Sequence, residues 1–328
     1  MFSINPRSVS RYRERYAVSG AKSDASDAKL LADVLRTDRQ NYRPTAQNSE
    51  LATSIQRLVH THQSLIWARQ KQVNQLRNLL REFYPGALLA FGTHLASPGT
   101  LAILQRAPTP KEGSRLSTVD LIGLLQRAGR QRAVETMALR IQSALSTRQM
   151  TLGTIASAGY RASVEAMLPG IQALTNQLAF IEAELQARFL GHPDASIFLS
   201  LPGVSFVLGA RLLAGFGDAH AQYRDAKSRK NYAGTSPVTK ASGARKAVLK
   251  RTACNRQLRT ACFLWAFSSL RASPGAHRYY QQLRSRGHSH GRALMGLANR
   301  FVGILHGCLG HQCSYSEAIG WGRTNGEG

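Results

Sequence analysis

A long run of helical periodicity between residues 45 and 83 constrains the fold of this chain more than any other feature. Apolar side chains recur there near the helical spacing. They are Leu51, Ile55, Leu58, Leu65, Ile66, Val73, Leu76 and Leu80. Proline and glycine at positions 85 and 86 predict the end of this helix, because proline cannot continue the hydrogen-bond ladder.

A second apolar pattern, later in the chain, steps by three and four residues. Its members are Ile171, Leu174, Leu178, Ile181 and Leu185. This is the a/d pattern of a helix that packs along another helix. The partner is either the 45–83 helix or a second copy of the chain, and both alternatives predict a helical coiled-coil arm.

The region between these patterns is rich in proline and glycine. Residues 86–115 contain Pro98, Gly99, Pro108, Pro110 and Gly113, which predicts a loop-rich insertion. Helical character returns from about residue 119 to residue 190. We expect this stretch to be broken near Gly153, near Gly159 and at the Pro169-Gly170 pair.

The charge of the chain indicates its class of partner. Its 328 residues include 43 Lys and Arg against 18 Asp and Glu, a net charge of +25. A charge of this size predicts a nucleic-acid partner. An anionic membrane is the alternative, but we find neither a basic amphipathic helix nor an apolar run of about 18 residues. Four cysteines do not make a secreted disulfide framework, so a cytoplasmic protein is expected.

The basic residues concentrate in the carboxy-terminal part. Residues 226–316 contain no Asp or Glu but sixteen Lys and Arg, so no carboxylate metal site can be built from that span alone. The densest stretch, residues 224–259, predicts contacts to nucleic-acid phosphates. Its basic members are Arg224, Lys227, Arg229, Lys230, Lys240, Arg245, Lys246, Lys250, Arg251, Arg256 and Arg259.

Two aspartates, Asp24 and Asp27, begin a helix predicted from Asp24 to Arg36. Their i, i+3 spacing places both on one helix face. One interpretation is helix capping and a favourable interaction with the helix dipole. The other is a pair of oxygen ligands for a hard cation such as Mg²⁺.

Two further motifs lie near the basic stretch. The turn Leu201-Pro202-Gly203-Val204 precedes an apolar helix, which is typical of a helix–hairpin–helix that offers backbone N–H groups to a phosphate; an ordinary turn between core helices is the alternative. Ser242 is followed by glycine among cations. It is either a loop residue or a nucleophile whose attack on a phosphodiester the cations would assist.

A third cluster holds two histidines and two cysteines. They are His306, Cys308, His311 and Cys313. The residue count suits zinc, but the spacing fits no standard structural zinc pattern. The apolar residues around Cys308 favour a buried helix instead.

In this order, the motifs resemble one family, the insertion-sequence transposases of the "IS one-ten" group. The motifs that carry the resemblance are Asn5-Pro6, Lys22-Ser23-Asp24-Ala25-Ser26-Asp27-Ala28 followed by Leu30-Leu31-Ala32, Leu201-Pro202-Gly203-Val204, Tyr232-Ala233-Gly234-Thr235-Ser236-Pro237 and Ser242-Gly243. The first two resemble the end of that family's RuvC-like DEDD domain. The others resemble its carboxy-terminal transposase domain.

The resemblance implies a mainly α-helical fold with a truncated α/β (RNase H/RuvC-like) amino-terminal part. The implied domains are a remnant of the DEDD domain at 1–44, the coiled-coil arm at 45–190, the basic, mostly helical transposase domain at 191–315, and a tail at 316–328.

The resemblance also implies a chemistry and its partners. Asp24 and Asp27 would be the third and fourth acids around Mg²⁺, and Ser242 would attack DNA to form a phosphoserine link. DNA, a structured guide RNA and further copies of the chain are the implied partners. The implied nucleic-acid contacts are Gly203, Lys227, Arg229, Lys230, Lys240, Arg245, Lys246, Lys250, Arg251 and Arg256.

One departure from the family bears on activity. The family's first acid and its second, a glutamate, precede the Asn-Pro motif, but here only four residues precede Asn5, and Glu14 is the only carboxylate before Asp24. We therefore expect a truncated copy or a misplaced start, with Mg²⁺ binding weak or lost. A catalytically dead protein that only binds DNA or RNA is the alternative function.

Overall fold

The computed structural model describes residues 2, 4, 6–14, 23–42, 47–149, 152–242 and 245–322. It divides into two compact units, one formed by residues 54–191 and the other by residues 1–53 together with 192–328. Both are built mainly from helices, and the sheet within the described ranges is one two-stranded hairpin.

The helices up to residue 190 are α1 (Pro6–Arg13), α2 (Asp24–Asp38), α3 (Glu50–Phe83), α4 (Pro85–Phe91), α5 (Pro98–Arg106), α6 (Pro110–Gly113), α7 (Thr118–Arg127), α8 (Val134–Leu145) and α9 (Thr154–Leu190). The later elements are α10 (Ala195–Ser200), α11 (Phe206–Phe216), α12 (Ala226–Tyr232), β1 (Val238–Ser242), β2 (Arg245–Leu249), α13 (Arg256–Ser269), α14 (Pro274–Ser285), α15 (His290–His311) and α16 (Glu317–Trp321). Short 3₁₀ turns occupy Arg39–Asn41 and His220–Gln222.

The long helices α3 and α9 lie side by side and run in opposite directions. As the residue numbers increase along α3, the residue numbers of their contact partners on α9 decrease. In the first half of α3, His62 Nε2 lies 2.9 Å from Glu182 Oε1. Further along, Gln72 Oε1 lies close to Gly170, where an added Cβ would be only 2.9 Å away. At the end of α3, the rings of Phe83 and Tyr160 stack with their centres 4.5 Å apart. On the predicted seam, Ile171, Leu178 and Leu185 are buried. Packing within the chain is therefore what the structure shows for this segment.

The expectation of a loop-rich insertion at 86–115 was wrong. Pro85, Pro98 and Pro110 each occupy the first turn of a helix, where a missing N–H removes no intrahelical bond. The side chains of Ser97 and Thr109 cap two of these helices by accepting backbone N–H bonds. The prolines therefore begin helices in this region.

The predicted breaks in the 119–190 stretch are only partly present. Gly153 is the N-cap of α9, so the first break is confirmed. Gly159 and the Pro169-Gly170 pair lie inside α9, which continues through them. The burial of Val164, Leu168 and Ile171 on either side of the proline gives this helix a continuous apolar face.

In the unit of residues 1–53 and 192–328, α15 forms the centre of the core. It packs against α12, α13 and α14, and the rings of Trp265 and Phe301 stack at 4.8 Å. Among the described helices, α15 alone is long and apolar enough to cross a membrane. Half of its apolar stretch is buried inside the structure, which is the pattern of a core helix.

The amino-terminal region shows less sheet than expected. Apart from an isolated bridge at Phe2, the described residues before position 42 are helical or irregular. Helix α1 begins at Pro6, the second residue of the Asn5-Pro6 motif, and Asn5 itself lies outside the described ranges. Helix α2 begins at Asp24 as predicted and ends at Asp38. A mainly helical fold is therefore confirmed, without an α/β sheet in the described residues.

Candidate active site and nucleic-acid interface

The two candidate metal ligands lie at the start of α2. Ser23 caps this helix, since its Oγ accepts the Ser26 N–H at 3.1 Å. Asp24 is exposed, whereas Asp27 forms an ion pair with Arg13 of α1. The structure therefore brings the two carboxylates to one helix turn, as predicted, and gives Asp27 a cationic partner that the sequence analysis missed.

The donor set at α2 fits Mg²⁺ only together with other ligands. Within the described ranges, no three or more His, Cys, Asp or Glu side chains are arranged to hold a metal ion, and this includes the cluster from His306 to Cys313. Mg²⁺ commonly takes one or two carboxylates and completes its shell with water and substrate phosphate oxygens. Asp24 and Asp27 can supply those carboxylates once Arg13 releases Asp27.

Ser242 lies at the far end of the β1–β2 hairpin. The strands are antiparallel, with Ser242 opposite Arg245, Ala241 opposite Lys246 and Lys240 opposite Ala247. Ser242 is exposed, and the connecting residues 243–244 lie outside the described ranges. The register therefore places the backbone of Arg245 opposite the candidate nucleophile and that of Lys246 opposite the residue before it. The side chains of Lys240, Arg245 and Lys246 lie outside the described part of the structure.

Arg229 is a correction to the predicted nucleic-acid interface. It is 1% exposed, and its guanidinium lies over the rings of Phe216 at 5.3 Å and Tyr223 at 4.5 Å. Burial lowers the pKa of Arg229 to about 10, and its Nε and Nη1 find no hydrogen-bond partner in the structure. A side chain in this position packs inside the unit and is not available to a DNA phosphate.

Two other predicted contacts are partly engaged inside the protein. Arg251 is half-buried, and its Nε donates to the Ser236 carbonyl at 3.2 Å. The side-chain end of the half-buried Lys230 lies against α15. It is so close to Gly303 that a Cβ added to this glycine would be 2.9 Å from it. These contacts hold both residues against the protein, which leaves less of each side chain for a ligand.

The remaining described basic side chains of the predicted set are exposed. Lys227 lies in the first turn of α12, Lys250 follows β2, and Arg256 begins α13. The described residues 226–316 include no carboxylate to neutralise them. Their contact with nucleic acid stays a prediction.

Gly203 occupies a tightly packed turn between α10 and α11. Its φ of +74° is in the left-handed region, and a Cβ there would lie 2.6 Å from the carbonyl carbon of Ser268. Ser268 Oγ donates to the Gly203 carbonyl at 2.8 Å, and Trp265 Nε1 donates to the Pro202 carbonyl at 3.2 Å. The close approach of α13 therefore requires glycine here, whether or not the backbone N–H of Gly203 contacts a phosphate.

A polar network that the sequence analysis missed lies where residues 47–53 and 192–220 meet. The backbone N–H of Asp194 donates to His192 Nδ1 at 3.1 Å, so Nε2 carries the ring proton and faces Asp218 Oδ2 at 3.4 Å. His220 Nε2 lies 3.0 Å from Asp194 Oδ2, and Ser49 N–H donates to Asp218. The sequence signal is a His-x-Asp motif followed by an Asp-x-His motif.

Both carboxylates of this network titrate below their ordinary range. Burial raises the pKa of Asp194, but the hydrogen bond and charge of His220, together with a hydrogen bond from Gln312 and the charge of His192, lower it by more, so the net pKa is lowered. Burial also raises the pKa of Asp218, and hydrogen bonds from Ser49 and His192 again lower it to a greater extent. Both residues therefore favour the ionised form in the folded protein.

Comparison with known protein families finds two matches, one in the amino-terminal and one in the carboxy-terminal part of the chain. Residues 1–85 match the DEDD transposase domain of the IS110 type. Residues 195–281 match the family described as "Transposase IS116/IS110/IS902 family".

Individual relatives cover most of the chain. The mini-circle putative transposase for IS117 of Streptomyces coelicolor is 39% identical over 97% of this chain and 77% of its own length. An IS116 protein of Streptomyces clavuligerus is 31% identical over 92% of this chain and 74% of its own length. The chain belongs to the IS116/IS110/IS902 family of transposases. An IS900 protein of Mycobacterium paratuberculosis is 27% identical over 90% of this chain and 73% of its own length.

Membership of the IS116/IS110/IS902 family confirms the resemblance drawn from the motifs. Asp24 and Asp27 fall within the matched DEDD range, and Gly203 and Ser242 fall within the second matched range. Asn299, which contacts the segment before β1, lies beyond both ranges.

Proposed function

We propose that this chain is a DNA transposase in which Ser242 is the nucleophile. Family membership supports strand transfer as the reaction class. The observation that carries the serine role is its position, exposed at the end of a basic hairpin. Transposition needs a nucleophile that can reach a DNA backbone, and an exposed hairpin end offers that access.

The proposed step is a transesterification. Ser242 Oγ forms a bond to phosphorus as one bond from phosphorus to a deoxyribose oxygen breaks. The serine proton passes to water or to a base, and the released strand end takes up a proton as a hydroxyl. One phosphodiester is thus exchanged for another, so the later attack of a strand end on the phosphoserine can reseal DNA without a high-energy cofactor. Neighbouring cations stabilise the charge that develops on the phosphate oxygens.

Asp24 and Asp27 would hold Mg²⁺ beside a phosphate of the DNA. When bound, the cation would supply positive charge to the phosphate oxygens. Within the protein, Arg13 would neutralise Asp27 when no cation is present. The chain's own contribution is therefore a carboxylate pair kept on one helix turn by the Ser23 cap.

DNA is the proposed main partner, with a structured guide RNA and further copies of the chain as additional partners. The net charge of +25 supports nucleic-acid binding. Each phosphate neutralised on B-DNA adds about −0.9 to the slope of log affinity against log salt. A cytoplasmic location stays a prediction from composition.

The test is covalent trapping on labelled DNA. The protein is incubated with Mg²⁺, a fluorescent duplex carrying the DNA that flanks its gene, and RNA transcribed from the same flank. We expect an adduct that survives denaturing electrophoresis with the wild type and is lost in Ser242→Ala. The matched control is Thr239→Ala, which removes an exposed hydroxyl from the same strand. An adduct of normal yield in Ser242→Ala would remove Ser242 from the reaction.

A second function, nucleic-acid binding without strand transfer, is favoured by one observation. Asp27, one of the two proposed metal ligands, is already paired with Arg13. Salt-dependent binding is expected of both functions and does not separate them. Mg²⁺-dependent adduct formation does, because a wild type that binds the duplex without forming any adduct supports the binding function.

A further inference from the structure

The hairpin that carries Ser242 is held mainly by the pairing of its own two strands. Its two strands pair with each other, and within the described ranges neither packs extensively against a helix. Val248 and Leu249 of β2 are 54% and 44% exposed. An isolated two-stranded hairpin is only marginally stable in water, so its direction must be set where it joins the rest of the unit.

Small changes at the base of the hairpin are amplified at Ser242. Ser242 lies four positions after Val238, which corresponds to about 14 Å of extended strand. A tilt of about 10° at the base would therefore move Ser242 by about 2 Å. A misplacement of about 1 Å is enough to lower the rate of a positioned reaction by about 100-fold.

One side chain of α15 holds the segment that leads into β1. Asn299 Oδ1 accepts a hydrogen bond from Ser236 Oγ at 3.0 Å. It also accepts from Thr235 Oγ1 at 3.2 Å, a hydroxyl that it shares with the Lys230 carbonyl at 3.3 Å. Thr235 is buried, and the backbone N–H groups of both residues bond to the Lys230 carbonyl. The amide oxygen of Asn299 thus joins the core helix to the two residues before Pro237 and β1.

The other end of the hairpin is fixed to the same segment. Arg251, two residues after β2, donates from Nε to the Ser236 carbonyl at 3.2 Å. Arg259 Nη1 in turn donates to the Arg251 carbonyl at 3.3 Å. Ser236 is therefore held by its hydroxyl to α15 and by its carbonyl to the strand that returns from the hairpin.

We propose that Asn299 is a positioning residue for Ser242. It acts through the hydroxyls of Thr235 and Ser236, which set the direction of the β1–β2 hairpin. This inference rests on the proposed role of Ser242 for its effect on activity, whereas the effect on hairpin geometry stands on the contacts alone. Arg251 acts with Asn299, and its role as a phosphate contact becomes secondary.

The decisive property of Asn299 is an acceptor oxygen at the end of a short side chain. Asn299→Leu keeps the approximate shape and removes the acceptor. Asn299→Asp keeps an acceptor oxygen, which can still receive both hydroxyls. Ser268→Ala is the matched control, because it removes a comparable hydrogen bond that holds the Gly203 turn in the same unit.

The experiment measures three quantities for each variant: the rate of adduct formation on the labelled duplex, the affinity for that duplex, and hydrogen exchange of the amides in residues 238–249. We expect Asn299→Leu to slow adduct formation about 10- to 100-fold and to speed exchange in the hairpin, with affinity changed less than about twofold. Asn299→Asp should recover most of the rate. Ser268→Ala should leave adduct rate and hairpin exchange unchanged.

A double-substitution cycle connects the effect to the named contacts. In a chain that already carries Thr235→Val and Ser236→Ala, Asn299→Leu should slow the reaction little further, because residues of one network do not act additively. Ser236→Ala alone serves as the milder test if Asn299→Leu fails to fold. A full additional loss in the cycle would overturn the proposed route through these hydroxyls.

The outcomes separate this inference from the proposed function. A normal adduct in Ser242→Ala would contradict the serine mechanism, and hairpin exchange would then still decide whether Asn299 sets the geometry. Unchanged exchange in both Asn299→Leu and Ser236→Ala would overturn the positioning role, whatever the chemistry of Ser242.

Discussion

The backbone N–H of Ser49 donates a hydrogen bond of 3.0 Å to Oδ1 of Asp218, a residue 169 positions later in the chain. The same carboxylate faces the protonated Nε2 of His192 at 3.4 Å. Ser49 directly precedes α3, and His192 lies two positions after Leu190, the last residue of α9. Asp218 therefore connects the segment that precedes residues 54–191 with the segment that follows them.

Asp218 should contribute to stability in a pH-dependent way. Its pKa is lowered on folding, so its stabilising effect is fully present above its unfolded pKa of about 3.9 and is lost as pH falls through the folded value. We expect Asp218→Asn to lower the free energy of unfolding by about 1–3 kcal/mol at pH 7. Denaturant unfolding at pH 7 and at about pH 3 measures the difference between wild type and variant.

The control for Asp218 is Asp33→Asn, which removes a surface carboxylate paired with Arg36. We expect that change to stay within about 0.5 kcal/mol. An Asp218→Asn effect of equal size at both pH values would contradict a contribution from the ionised carboxylate.

The burial of Arg229 makes a second prediction, for DNA binding. Arg229→Met should leave the affinity for duplex DNA and its salt dependence unchanged, because the guanidinium does not reach the surface. Lys227→Ala and Arg256→Ala remove exposed charges and should each reduce the slope of log affinity against log salt by about 0.9. Titrations at several salt concentrations compare the three variants. A reduced slope in a folded Arg229→Met would return Arg229 to the interface.

A third prediction concerns the turn at Gly203. Alanine there would hold a positive φ and place its Cβ 2.6 Å from the backbone of Ser268. We expect Gly203→Ala to lower the free energy of unfolding by about 1–3 kcal/mol or more. Gly307→Ala in α15 meets no atom within 4 Å and should be neutral or stabilising by up to about 1 kcal/mol. Equal effects of the two substitutions in chemical denaturation would contradict the close packing of the turn.

Apolar periodicity and family motifs predicted a large part of this structure. The run of residues 45–83 corresponds to α3, which begins at Glu50 and ends at Phe83, and Asp24 begins α2 as expected. These features are local, since a 3.6-residue repeat and a capping serine are both visible in a few turns of sequence. The partner of the second apolar pattern was not local information, and the sequence left two alternatives open.

The errors arise where one residue type has two structural uses. Proline ends a helix when it is internal and begins one at the first position, so Pro98 and Pro110 could not be assigned from composition. Arg229 lies among surface cations in the sequence, and only the fold brings Phe216 and Tyr223 around it. Asn299 is separated from Ser236 by 63 residues, and nothing in the local pattern connects the two.

The most direct test of the account is to locate the DNA phosphate on the protein. The trapped adduct is digested with nuclease and protease, and the peptides are sequenced by mass spectrometry. A nucleotide remnant on Ser242, lost in Ser242→Ala and retained in Thr239→Ala, is the result that the account predicts. A remnant on another side chain, or cleaved and rejoined DNA without any protein-linked intermediate, would contradict Ser242 as the nucleophile.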